Sequence, residues 1–160
     1  MPILRLAGKA SSRRRPVNSA LDSTNTSSAI SEVHMPTAET MERFIARVEQ
    51  GAHAEAIEEF YSEDGSIREN QAPPRTGRAN LVANERKVLA RAREVHTTCV
   101  RPYLVQGSVA VVRWIFRFEW LDGSTTQMEE LAYQRWDGEK IAEEQFFYDP
   151  AQIVPKKHNS

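Results

Sequence analysis

"SVAVVRWIFRFEW", residues 108–120, is the stretch on which the fold turns. Its even positions are Ala110, Val112, Trp114, Phe116, Phe118 and Trp120, all apolar. Its odd positions include Arg113, Arg117 and Glu119. Side chains alternate across a strand, so this pattern predicts a half-buried strand with one apolar face. Three neighbours have a similar rhythm: "VHTTCVRPYLVQ" (95–106), "STTQMEELAYQRW" (124–136) and "EKIAEEQFFY" (139–148). "QGS", "LDGS" and "DGE" supply the turns between them, as consecutive hairpins require.

Upstream the period becomes helical. "TAETMERFIARVEQG" (37–51) puts Met41, Phe44, Ile45 and Val48 on one stripe. Thr37 is placed to cap its start and Gly51 to close its end. "AHAEAIEEFY" (52–61) predicts a second short helix with Ala56, Ile57, Phe60 and Tyr61 inward. "SEDGSIREN" (62–70) reads as a turn and a short strand. "GRANLVANERKVLARARE" (77–94) predicts a third helix, with Leu81, Glu85, Val88, Leu89 and Ala92 on one side. Helices first and hairpins afterwards imply an α+β fold, an antiparallel sheet with helices on one face.

The 160 residues suffice for one domain with a sizeable core. Hydrophobic residues make up 40% and the net charge is −1, so no global basic field points to nucleic acid. No apolar run reaches the roughly 18 residues that would span a bilayer. Cys99 is the one cysteine, which excludes an internal disulfide and fits a reducing, cytoplasmic setting. His34, His53, His96 and His158 pair with no other His or Cys at ligand spacing, so neither a metal nor a cofactor is expected. Residues 1–34 carry Arg5, Lys9, Arg13, Arg14 and Arg15 against Asp22 and Glu32, and include the polar run "SALDSTNTSSAISE". They are expected to be a disordered or non-native extension, with an organelle transit segment or a true start at Met35 as alternatives. The domain is assigned to 35–154, with a frayed tail at 155–160.

Three carboxylates draw notice. Glu69 ends the short strand in "SIRENQAPPRTG" (66–77), just before a stiff proline loop. Glu130 and Glu144 fall on the even, apolar set of the last two strands. A lone buried charge is costly, so each must be paired, hydrogen-bonded or raised in pKa, and the last case is the one that chemistry uses. The plainer alternative is a strand-end residue that reaches water or pairs with Arg101 or Arg135. In the last strand neither face is clean, and a bulge would spoil the parity.

"FIARVEQGAHAEAIEEFYSEDGSIRENQAPPRTGRANLVANE" (44–85) resembles the first half of the nuclear transport factor 2-like superfamily. "AYQRWDGEKIAEEQFFYDPAQI" (132–153) is similar to the ending of its SnoaL-like domains. The resemblance spans about residues 37–153 and implies a cone, a curved sheet wrapped around the helices. Members include ketosteroid isomerase, polyketide cyclases and proteins without catalysis, so fold alone fixes no reaction. By this resemblance Glu69 takes the place of the isomerase's general base. The oxyanion-holding Tyr falls at Phe44, and the second oxyanion acid at Glu130 or Leu131. The cyclase base falls at Phe146, with Glu144 one same-face position earlier. The expected site joins Glu69, Glu130 and Glu144 as acid–base groups to Phe44, Asn70, Trp114, Phe116, Phe146 and Tyr148 as a pocket for a small hydrophobic molecule. The expected chemistry is isomerase, cyclase or hydrolase. The alternative is a non-catalytic binding module or a scaffold. A homodimer is expected through the outer sheet face, at Arg113, Arg117, Glu119, Tyr133 and Arg135.

Overall fold

The computed structural model describes residues 35–157. The extension at 1–34 and residues 158–160 lie outside the described residues. Helix α1 (Ala38–Glu49) starts where the Thr37 hydroxyl accepts the Thr40 N–H at 3.1 Å, and it buries Met41, Phe44, Ile45 and Val48. Gly51, at φ 77°, turns the chain into α2 (His53–Phe60). β1 (Tyr61–Glu69), β2 (Arg75–Thr76) and α3 (Arg78–Leu89) follow. The long strands β3 (Ala92–Gln106), β4 (Val109–Trp120), β5 (Thr125–Asp137) and β6 (Lys140–Phe147) come next, then a 3₁₀ turn at Pro150–Ile153. Among the described residues, no helix is long and apolar enough to cross a membrane.

The α+β arrangement stands: three helices and one six-stranded sheet in the order β2-β1-β6-β5-β4-β3. The hairpins β3–β4, β4–β5 and β5–β6 are antiparallel, as the turns demand, but β1 lies parallel to β6 and makes the sheet mixed. A parallel neighbour needs a long crossover, and here residues 70–139 supply it. The even residues of β4 are all buried, and so are those of β5 from Thr126 to Trp136. Phe44 of α1 meets Phe60, Trp114 and Trp136 edge-to-face, so helix and sheet join through aromatic contacts.

One local expectation changes, the last strand carries a bulge, and the end of the chain adds a bridge. The third helix stops at Leu89 rather than Glu94, because Ala92 already pairs with Trp120 and the ladder takes the segment over. In β6, Trp136 faces Ile141 and Arg135 faces Glu143, which leaves Ala142 as an unpaired bulge. Ile141, Glu144 and Phe146 therefore share the inner face, which strict alternation would forbid. Near the C-terminus, Lys156 exchanges both backbone hydrogen bonds with Thr125, where β6 has ended and β5 has an open edge.

β1 is also irregular, between Tyr61 and Ser66, and Gly65 lies at that point. A Cβ there would come 3.0 Å from the Ser62 carbonyl and 3.2 Å from the Ile141 carbonyl, both backbone atoms. Gly65→Ala should cost about 1–3 kcal/mol of stability in urea unfolding, and an unchanged midpoint would show that the two backbones separate freely.

Candidate functional site

Four carboxylates lie buried on or near the inner wall: Glu69, Glu85, Glu130 and Glu144. Each is handled differently. Glu144 is saturated. Tyr61 donates its hydroxyl to Oε2, in a very short contact, and Gln134 Nε2 donates to Oε1 at 2.7 Å. Trp136 Nε1 in turn donates to Gln134 Oε1 at 3.0 Å. Burial, then the neighbouring Glu144 charge, pushes the Tyr61 hydroxyl well above its ordinary pKa, so it remains a donor.

Glu69 sits at the mouth. Ile67 faces Arg75 across β1–β2, so the Arg75 side chain lies diagonal to Glu69 and reaches Oε1 at 2.6 Å. Tyr148 donates its hydroxyl to Oε2 at 2.7 Å. Burial, then this bond to Glu69, raises the Tyr148 pKa, and the hydroxyl keeps its proton. Asn70, at φ 47°, ends the strand in the left-handed region that Asn tolerates. Its amide N–H donates to the Phe146 carbonyl at 2.8 Å, and its Oδ1 accepts the Tyr148 N–H at 3.1 Å. Asn70 thus clamps the end of β1 to the end of β6. An open cleft of about 510 Å³ lies here, lined by Glu69, Asn70, Gln71, Ala72, Pro73, Tyr148, Pro150 and Ile153.

Glu130 faces Trp114 across β4–β5 and is 2% exposed. Neither of its carboxyl oxygens has a hydrogen-bond partner among the described residues. Burial pushes its pKa from 4.5 to about 8, and the charges of Glu144, Glu69 and Glu85 push the same way. It is a carboxylic acid that keeps its proton at neutral pH. Tyr148 feels both Glu69 and Glu130, which relates it to both acids.

The aromatic residues expected to line a pocket are packed together. Phe44, Trp114, Phe116 and Phe146, with Val48, Tyr61 and Glu144, enclose a void of only about 10 Å³. A water needs about that much or more. Beside Glu69 and Tyr148, at the mouth, the space is far roomier.

Arg75, Tyr61 and Gln134 were not singled out as site residues from sequence. Arg75 had one available signal: it flanks the proline turn six residues after Glu69, as a hairpin partner would. The deeper pair His53–Glu85 was also missed. His53 Nε2 lies 2.8 Å from Thr97 Oγ1, and Nδ1 lies 3.3 Å from Glu85 Oε1 in poor hydrogen-bond alignment. No spacing rule joins a residue of α2 to one of α3.

A family model described as SnoaL-like domain matches residues 41–144. Among curated proteins, none matches the sequence. Solved structures do match. One is a hypothetical protein with a ketosteroid isomerase-like fold from Catenulispora acidiphila, in complex with trimethylamine: 18% identity, 74% of this chain and 91% of that one, TM-score 0.62. Another is a polyketide cyclase candidate from Pseudomonas putida: 20% identity, 75% and 96%, TM-score 0.61. A third is a candidate SnoaL-like polyketide cyclase from Mesorhizobium loti: 25% identity, 69% and 97%, TM-score 0.58.

Glu130 sets a pH dependence. Between pH 4.5 and about 8 the unfolded chain loses a proton that the folded chain keeps. The folded state then binds more protons, so stability falls as pH rises through that window and levels off above it. Glu130→Gln should remove this slope. Its advantage over the natural chain should grow from near zero at low pH to the order of several kcal/mol above the window. Urea unfolding of both proteins across the window checks this, and parallel curves would contradict it.

Proposed function

This chain belongs to the SnoaL-like domain family, and we propose that it is a general acid–base catalyst acting on a small hydrophobic molecule. Glu69 is the base and Glu130 the acid. The observation that carries this reading is the contrast between the two carboxyls. One accepts hydrogen bonds from Arg75 and Tyr148 beside an open cleft, and the other is partnerless among the described residues and protonated inside an apolar wall. Two carboxyls in such unlike environments divide base and acid roles. Glu144 is the weaker candidate, because it is buried and does not line the mouth cleft as Glu69 does.

The reaction class is proton removal from a carbon next to a carbonyl, with cyclisation or hydration as variants. The substrate lies in the mouth cleft, against Pro73, Pro150 and Ile153. As Glu69 takes the proton it loses its value as an acceptor, and the Tyr148 hydroxyl is released to donate to the developing oxyanion. Glu130, which does not line this cleft, supplies the second donor once the packed wall parts to admit the substrate.

5-Nitrobenzisoxazole tests the base directly, since its ring opens when a carboxylate removes a carbon-bound proton. Glu69→Gln should lower the rate by about 100-fold or more while the fold is retained. An unaltered rate in that variant removes Glu69 from the role.

A second reading concerns assembly. On the outer face Leu131, Tyr133 and Phe147 are each more than 40% exposed, and Leu131 faces Phe147 across β5–β6. Arg113–Glu129 and Arg135–Glu143 ion pairs lie on the same face. An apolar centre rimmed by charge is the layout of a twofold interface. Light scattering at micromolar concentration should give a dimer, and Tyr133→Glu should give a monomer.

A further inference from the structure

We propose that Glu94, His96 and Glu119 bind a divalent transition-metal ion on the outer face of the β3–β4 ladder, on the opposite side of the sheet from the acid–base site. Glu94 and His96 are two residues apart on β3, so both side chains leave the same face. Glu119 faces Glu94 directly across the ladder. One imidazole nitrogen and two carboxylate oxygens come within 4.8 Å of one another. His96 Nε2 and Glu94 Oε1 are already 3.3 Å apart. A tetrahedral ion with metal–ligand bonds of about 2.0–2.1 Å holds its donors about 3.3 Å apart. The first two ligands therefore need little movement, and the Glu119 oxygen starts within 4.8 Å of both.

A second observation points the same way. On the same face the β5–β6 ladder sets Arg135 against Glu143, an opposite-charge pair. At Glu94 and Glu119 the β3–β4 ladder sets two carboxylates directly opposite each other, an arrangement that destabilises a sheet. Arg117, directly opposite His96 on the ladder, pairs with Glu119 at 3.4 Å and has to turn aside when an ion binds. A bound dication would turn that repulsion into a cross-link between the start of β3, beside its bulge, and the end of β4. The mixed nitrogen–oxygen donor set suits zinc and its first-row neighbours better than calcium or magnesium. Three protein ligands leave at least one position for water or an external ligand. A sequence search limited to His and Cys spacing passes over this trio, because its third member is supplied by the neighbouring strand.

The test uses the full chain and zinc chloride, read by competition with a chromophoric chelator and by the unfolding temperature. The natural protein should bind one equivalent and unfold at a higher temperature with zinc. His96→Ala and Glu119→Gln should each weaken binding by at least about tenfold, since even outer-sphere partners cost that much. Without zinc, Glu119→Gln should be as stable as the natural protein or more so, because it relieves the carboxylate pair. That sign separates a lost ligand from a damaged fold. His158→Ala should bind as the natural protein does. Zinc binding that survives His96→Ala, or no bound equivalent at micromolar zinc, would overturn the site.

Discussion

The parallel pairing of β1 with β6 is the constraint on which the rest hangs. It places Tyr61 against Ile141 and Glu69 against Phe146, residues about eighty positions apart in the chain. Both polar centres follow from it. Tyr61 can reach Glu144 only because the start of β1 lies beside the start of β6, and Glu69 can reach Tyr148 only because the two strands end together. Asn70 secures that joint end, with hydrogen bonds from its backbone and side chain to the backbone on either side of Phe147.

The inner wall also illustrates how apolar packing and ionisable groups coexist. A carboxylate removed from water needs donors or a proton. Glu144 receives two donors and Glu69 receives a guanidinium and a phenol. Glu130 retains a proton instead. The three solutions sit on adjoining strands, and the unlike environments arise from position alone. Glu144 lies among polar neighbours on β5 and β1, whereas Glu130 faces the Trp114 ring. The tight packing of Phe44, Trp114, Phe116 and Phe146 keeps water from equalising them.

Much of this was legible beforehand. Strict alternation in β4 gave the inner face correctly, and the Met41–Phe44–Ile45–Val48 stripe gave α1, because local periodicity reports burial directly. The inward placement of Glu130 followed from the same parity. What periodicity does not carry is pairing between distant strands. The β1–β6 contact, and hence the Tyr61 partner, was invisible for that reason, whereas β2, which brings Arg75 to Glu69, is a local partner too short to show a period. The end of α3 was misjudged because Arg91 to Glu94 are adequate helix formers, and only the ladder partner on β4 pulls them into a strand. The roomy space also shifted outward: composition shows that aromatic residues line a wall, but not whether their rings fill the gap between them.

The bulge at Ala142 has a bearing on how this chain can change length. Every other residue of β6 is committed to one face, so an insertion or deletion among them would turn Glu144 or Phe146 outward. Removal of Ala142 leaves Ile141, Glu144 and Phe146 in ordinary alternation, still facing in. The strand thus has a single position at which its reading frame can lose one residue without rewriting the wall. Gly65, pressed against the Ile141 carbonyl from the neighbouring strand, marks the same place from the other side.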